Sequence, residues 1–598
     1  MRNRALIVIV LIAAAVAVAL WRARVAETEA HRVQRTLRAA LKSRRYPSHV
    51  PAGEDSTPLL VRSFYRQRRY APAWSDGIQP LPRARALVGV LDSAATEGLE
   101  AGDYLTPRMR ELLGRLRPLP LAAGRDPRPL AELDLGLSAA FLRYASDLFD
   151  GRVDPRRLPT EWLTRPRRTS LLAQLRAAVS SDRVAETLHA LAPHHPEYAR
   201  LRESLARYRQ IAARGGWPPV APGPLLGRGA RGPRVRSLRA LLAATGDLSA
   251  RGASADAFDA SVEHGVRAFQ SRHGLSPTGR VGADELAAMN VPVEARMQQI
   301  ELNMERWRWL PDTLGRRAIV VNIPDYTLRA VEDDHPVLDM RVVVGEAVNH
   351  TPVFSDTISR IVFGPSWNIP ERIVGDEMLP QAQNDPEYFA RNHIRIFDGP
   401  GKAAREIDPR TRDWSAGPAS VAAYSFRQDP GPDNALGHVK FMCPNQFNVY
   451  LHDTPAGHLF NLRERDFSHG CIRVEHPVEL ADYLLGGRGG WTRDRIVDAM
   501  HAALDSSVAL PQPAPVHILY WTAWVDDRGA LELRKDIYDL DAIVDHALRR
   551  HAFAVSQTAH AVTRAVSGSA PVARNDGRRP GARQPAPWRD RRSPRRPR

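Results

Sequence analysis

Ser468-His469-Gly470-Cys471-Ile472-Arg473 is the stretch on which the reading of this chain turns. It holds one of only two cysteines among 598 residues, behind a glycine and two places ahead of an arginine. Nineteen residues upstream, Tyr450-Leu451-His452-Asp453-Thr454 supplies a histidine at the end of a strand-like run. A thiol attacks only as thiolate, and its ordinary pKa is about 8.5, so a reactive cysteine needs a base or a cationic setting. Cys471 and His452 are therefore read as nucleophile and base. Gly470 permits close approach of a carbonyl and an unusual backbone. The backbone N–H groups around Gly470 and Cys471 are expected to face a developing oxyanion. Pro477 suits the first turn of a helix that stops at Gly486-Gly487, which places the cysteine in the loop before that helix.

Working outward, the surrounding residues read with period two. Ile319, Val321 and Ile323 alternate with Val320, Asn322 and Pro324, and Met340–Gly345, Ile361–Phe363, Val449–Leu451 and Val516–Val525 follow between Gly, Pro and Asn. Short strands with turn punctuation predict a β-rich domain over 316–548, sandwich or barrel-like. Within it, about 371–421 reads as irregular or helical, and a long insertion in a compact domain is usually functional. A polar, helix-like connector over 291–313 precedes the domain and ends in Trp307-Arg308-Trp309-Leu310-Pro311.

Further upstream, 224–292 forms a small unit with two apolar helical stripes, Val235–Leu238–Leu242 and Val262–Val266–Phe269. Gly215-Gly216-Trp217-Pro218-Pro219 marks a linker before it. Residues 56–216 read as helical, with Leu133, Leu137, Phe141, Tyr144 and Leu148 at helical spacing. At the N-terminus, basic residues precede an apolar run, Ala5–Trp21, and Arg22 and Arg24 follow it. That pattern predicts a membrane helix acting as a signal anchor over 1–24, with 25–55 as a polar tether; cleavage after a small-x-small site is the alternative. The tail over 553–598 is rich in Arg and Pro, carries ten arginines and two aspartates from Pro571 onward, and is expected to be disordered.

The catalytic stretches, together with Gly431-Pro432-Asp433-Asn434-Ala435-Leu436-Gly437 and Pro365-Ser366-Trp367-Asn368-Ile369-Pro370, resemble the L,D-transpeptidase (YkuD-type) family of the large Gram-negative kind. The unit containing Phe258-Asp259, Phe269-Gln270, Gly274-Leu275, Gly279 and Val281-Gly282 resembles a three-helix peptidoglycan-binding module, and the helical region resembles the scaffold domain that precedes the catalytic domain. The resemblance implies a multidomain α+β chain: membrane helix, helical scaffold domain, peptidoglycan-binding module, and catalytic domain with a capping insertion. It implies that Cys471 is the nucleophile and His452 the catalytic histidine. Asp453 would orient His452 through its backbone carbonyl, Gly470 would contribute to the oxyanion site, and Ser468, His469, Arg473, Trp367 and Asn434 would face substrate. Cys471 would attack the carbonyl of the third stem-peptide residue, release the terminal D-alanine, and pass the acyl group from a thioester to an amine, giving a 3→3 cross-link. The same pair could instead pass it to water, as an endopeptidase or carboxypeptidase, or the chain could chiefly be a wall-binding scaffold.

The implied partners are peptidoglycan stem peptides in the periplasm and the inner membrane through the N-terminal anchor, with no cofactor. The net charge of +17 invites nucleic acid, but no zinc-finger, ribonucleoprotein or basic-zipper pattern accompanies it, so no nucleic-acid partner is expected. Two cysteines make no disulfide framework. A metal site from Cys443, His452, His469 and Cys471 lacks zinc spacing, so no metal is expected.

Overall fold

The computed structural model describes residues 2–44, 46, 56–115, 126–160, 162–163, 167–249, 256–398, 404–412, 414, 417, 421–486, 488–502 and 504–551, with the side chains of 2–11, 18–23, 26 and 488 excepted. The expected disordered tail lies outside the described residues.

The first helix, α1 (Arg2–Lys42), does not stop where the apolar run ends. Val33, Leu37, Ala40 and Leu41 recur at helical spacing among arginines and are buried against the helical domain. The stretch from 25, read from sequence as a polar tether, is thus to Lys42 a docked amphipathic helix. Gly77, at φ +95°, lets its turn run against the α1 backbone; a Cβ there would lie 2.3 Å from the Ala30 nitrogen. Most side chains of Ala5–Trp21 lie outside the described set, and among the described residues no helix is long and apolar enough to cross a membrane.

The helical domain is built around α2 (Arg128–Phe149), which is apolar nearly all round and accordingly buried. Asp134 in its middle is 1% exposed, yet it accepts hydrogen bonds from Ala73 N at 2.6 Å and Tyr65 Oη at 2.7 Å, so its burial is compensated. A third helix, α3 (Pro196–Ala213), packs along the connector. The small module follows as α4 (Pro233–Thr245), α5 (Ala260–Arg272) and α6 (Ala283–Met289) around Val235, Leu238, Leu242, Val262, Val266 and Phe269. Asp259 caps α5 by accepting from Val262 N at 3.0 Å.

The connector is α7 (Val293–Arg308), and its polar sequence misleads. Asn303, Glu305, Arg306 and Arg308 are all at most 2% exposed. Glu305 accepts from Arg152 N and Val153 N of the helical domain, Arg308 donates to Glu305 and Tyr198, and Arg306 donates to Asp541 in the C-terminal segment. The helix joins three parts of the chain through these pairs, with Arg306 Nε and Nη2 and Arg308 Nε left buried without a hydrogen-bond partner.

In the β-rich domain a short strand from the helical domain, β1 (Trp162–Leu163), pairs with β5 (Val353–Phe363). The other strands are β2 (Arg317–Asn322), β3 (Thr327–Glu332), β4 (His335–Gly345), β10 (Val439–Met442), β11 (Leu451–His452), β12 (Asp466–Ser468), β13 (Ile472–Val474) and β14 (Ser506–Leu519). They run in the order β5-β10-β11-β13-β4-β3-β2-β14, and β14 also pairs with β5, so the sheet closes on itself. The ladder between β14 and β5 shifts register between Ala509 and Ala514, where Pro511 and Pro513 cannot donate. The interior is filled by Val, Ile, Leu and Phe from alternate positions.

The insertion, read from sequence as irregular or helical, carries short helices over Glu371–Ile373, Leu379–Asn384 and Tyr388–Arg391 and, unexpectedly, a sheet. Strands β6 (Trp367–Ile369), β7 (Ile394–Asp398), β8 (Arg405–Ile407) and β9 (Tyr424–Gln428) form a separate sheet in the order β6-β9-β7-β8. It has its own core of Ile369, Val374, Leu379, Phe389, Ile396 and Phe426. Helices α8 (Pro477–Leu485) and α9 (Arg493–His501) cover the barrel after β13.

Candidate active site

The site is set by strand register. On β11, Leu451 lies opposite Ile472 of β13 and His452 opposite Arg473, in parallel pairing. Across the other edge, Lys440 of β10 lies opposite His452. Cys471 therefore enters β13 beside Tyr450, one step from His452 on the neighbouring strand.

His452 is 4% exposed, and its Nδ1 donates to the Asp453 carbonyl at 2.5 Å. That bond leaves Nε2 as the free acceptor, the tautomer a base requires. Burial, with the positive charges of Arg473 and Lys440 adding to it, draws its pKa down to about 3. The imidazole is thus neutral across the physiological range. The Asp453 carboxylate does separate work: it accepts from His438 N at 2.8 Å and Thr454 N at 2.7 Å. It fills the space beside Gly437, at φ +59°, where a Cβ would sit 2.4 Å from the carboxylate.

Cys471 is half-buried, and its Sγ contacts the Asn448 carbonyl at 3.9 Å. Burial pushes its pKa up, against the opposing effects of a backbone hydrogen bond from Tyr450 and the charges of Arg473 and Lys440. No hydrogen bond joins Cys471 to His452 among the described residues. The resting pair is a neutral thiol beside a neutral imidazole, and their hydrogen bond would form as substrate enters, as is common for catalytic contacts.

The loop that carries the thiol is fixed from within. Gly470 stands at φ +108°, which favours glycine. Its N–H donates to Ser468 Oγ at 3.1 Å, and Ser468 Oγ donates to the Cys471 carbonyl at 2.5 Å. The Gly470 carbonyl accepts from Thr351 Oγ1 at 2.8 Å, and Thr351 also binds Gly345 N at 2.8 Å. Tyr538, from beyond the barrel, accepts from Thr351 N at 3.3 Å and stacks on His350 at 4.1 Å. Ser468, 2% exposed, is thus a brace of the loop and not a group open to substrate.

The other expected substrate residues are dispersed. His469 Nε2 lies against Glu377 Oε1 of the insertion. Arg473 is half-buried beside the thiol, its Nε buried without a hydrogen-bond partner. Trp367 is half-buried on β6 against the insertion's own core. Asn434 is 2% exposed and spends its amide on its own turn, donating to Asp429 O at 2.9 Å and accepting from Leu436 N at 2.8 Å. It holds a loop and is closed to substrate. A cavity of about 610 Å³ opens on one side of the nucleophile loop, lined by Asn349, His350, Thr351, Phe447, His469 and Gly470.

Sequence reasoning missed Lys440, Thr351 and Glu377. Lys440 carried a signal, a lone lysine in the apolar run Val439–Met442; Thr351 and Glu377 carried none, since each meets the site from a distant part of the chain. No group of three or more His, Cys, Asp or Glu able to hold a metal occurs among the described residues.

Three family models match this chain. Residues 316–505 match the YkuD model, described as the L,D-transpeptidase catalytic domain, residues 59–205 a "Scaffold domain", and residues 231–289 a "Putative peptidoglycan binding domain". The chain carries a YkuD-type L,D-transpeptidase catalytic domain together with a scaffold domain and a peptidoglycan-binding domain. A curated protein of Haemophilus influenzae, named "Putative L,D-transpeptidase", is 36% identical over 250 residues, which is 42% of this chain and 49% of that protein. The chain spans about half the length of this curated relative. Among solved structures, an L,D-transpeptidase from Mycobacterium smegmatis is 14% identical over 34% of this chain and 58% of its own, with a TM-score of 0.17. One from Xylanimonas cellulosilytica is 16% identical over 50% of this chain and 100% of its own, with a TM-score of 0.16. Overlaps of that quality carry no argument about fold or function.

Proposed function

We propose that the protein forms 3→3 peptidoglycan cross-links through a thioester on Cys471. The observation that supports this most is the setting of His452: a buried, neutral imidazole with Nδ1 committed to a carbonyl and Nε2 free, one strand from the thiol. In the first half-reaction Nε2 takes the proton of the Cys471 thiol as Sγ bonds the carbonyl carbon of the third stem residue. The C–N bond to the terminal D-alanine then breaks, and the imidazolium returns its proton to the departing amine. In the second, a side-chain amine of another stem attacks the thioester, an amide forms, and the thiol regains a proton. Because burial raises the thiol pKa, proton transfer accompanies attack and does not precede it.

The Gly470 N–H is occupied by Ser468 in the resting loop, so stabilising the oxyanion requires that bond to be exchanged for one to substrate. The peptidoglycan-binding domain fits a polymeric wall substrate, and we place the enzyme in the periplasm, held at the inner membrane by Ala5–Trp21. Incubating the full chain with tetrapeptide muropeptides and weighing the products tests the reading. Cross-linked dimers lacking one D-alanine are expected. Tripeptide products alone would make it a hydrolase, and no product with no acyl adduct would leave only a wall-binding scaffold.

A further inference from the structure

Two cations flank His452 in one row of the barrel wall. Lys440 stands opposite His452, and His452 opposite Arg473. Laterally paired residues project from the same face, and alternation along the strands brings Tyr450 and Cys471 to it as well. Lys440 Nζ lies 5.7 Å from the centre of the Tyr450 ring, consistent with that placement.

Neither cation forms an ion pair among the described residues. The nearest acids are engaged elsewhere: Asp505, which acts on Lys440 through space, accepts hydrogen bonds from Ser366, and Glu377, which acts on Arg473, is paired with His469. Burial lowers the pKa of both cations, as it does for charges lacking a counter-ion at contact distance. Three buried cations elsewhere are ion-paired, Arg306 with Asp541, Arg308 with Glu305 and Arg272 with Asp247, and buried Arg465 spends its donors on backbone carbonyls. Two half-buried charges left open cost stability, and an anion arriving beside the thiol would recover it.

We propose that Lys440 and Arg473 form a carboxylate clamp across His452 that selects donor peptides by a free carboxylate close to the carbonyl attacked by Cys471. The proposal rests on Cys471 being the acylated nucleophile. It makes Lys440 a specificity-determining residue. The matching substrate chemistry is a peptide with an anionic carboxylate either on the departing C-terminal residue or on the side chain of the residue that is acylated. A clamp in this position would also pull the scissile carbonyl toward the row that holds His452.

The test compares three donors on the full chain: the free-acid tetrapeptide, its C-terminal carboxamide, and the peptide amidated on the side-chain carboxylate of its third residue. Thioester formation is followed by intact mass for the wild type, Lys440→Met and Lys440→Arg. The wild type should prefer the free acid over at least one amide by roughly ten- to a hundredfold in kcat/KM. Lys440→Met should compress that preference to a few-fold, chiefly through KM, and Lys440→Arg should restore it. The amide that is discriminated identifies which carboxylate is held. Alkylation by iodoacetamide, which is uncharged, should persist in Lys440→Met and show an intact site; if it does not, Lys440→Arg and Lys440→Gln carry the same comparison. A wild type without acid preference, or a Lys440→Met that slows acid and amides equally, overturns the clamp. A wild type acylated by no donor overturns the nucleophile assignment instead.

Discussion

The two thiols of this chain lie on the same sheet, yet they are in opposite situations. Cys443, just after β10, is 3% exposed; its Sγ donates to the Val449 carbonyl at 3.6 Å, and burial pushes its pKa up to about 12. Asn445 closes the turn around it, donating to Val449 O at 2.7 Å and Cys443 O at 2.8 Å. Cys471 is also raised by burial, but it is half-exposed, preceded by a left-handed glycine, and faced by two cations. What separates the packing thiol from the candidate nucleophile is access and nearby positive charge, since burial acts on both in the same direction.

The comparison breaks most sharply at the nucleophile. Cys471→Ala should abolish acylation by a carbapenem, with no mass adduct, whereas any adduct on that variant would move the nucleophile elsewhere. His452→Ala comes next: loss of the proton acceptor should slow acylation by about 10²–10⁴-fold. The residual rate should keep rising with pH beyond the range of an ordinary thiol, as the buried thiol itself ionises. His469→Ala should be milder, because its contact with Glu377 is partly exposed, and even a charged pair there would contribute about 1 kcal/mol or less. A loss of no more than about fivefold in acylation is expected; a silent thiol in His469→Ala beside fast acylation in His452→Ala would reverse the two assignments.

The pH dependence of folding sharpens the same contrast. His452 titrates near 3 in the folded chain against 6.5 for an ordinary histidine. Between those values the unfolded chain binds more protons, so this group's contribution is full above about pH 6.5 and is lost as pH falls toward 3. Denaturant midpoints measured down that range should fall less steeply for His452→Gln than for the wild type. The smallest effect belongs to Cys443→Ser, which should keep substantial acylation activity. Native alkylation should label Cys471 and spare Cys443, and denatured protein should take label at both.

Much of the architecture is legible in local sequence. The peptidoglycan-binding domain is readable because its apolar stripes and the Asp259 cap are short-range features, and the barrel strands because period-two alternation survives wherever one face is buried. The scaffold helices are readable for the same reason. Local pattern fails where burial is bought with charge: α7 looks solvent-exposed because its Asn, Glu and Arg residues find partners in Thr522, Arg152, Tyr198 and Asp541, far away in the chain. It fails again in α1, whose apolar positions are interleaved with arginine, and in the insertion, whose strands β6–β9 are too short for alternation to show.

The sequence alone showed the domain order and singled out Cys471, His452 and their flanking motif residues as candidates, because residue type and spacing suffice for that. Only the tertiary structure decided what surrounds them. The pairing of β10 with β11 and of β11 with β13 brings Lys440, His452 and Arg473 into one row, and a through-space contact joins Glu377 to His469. Thr351 holds the Gly470 carbonyl from 119 residues away. Register and long-range hydrogen bonds depend on the closed sheet as a whole, and no window of sequence contains them.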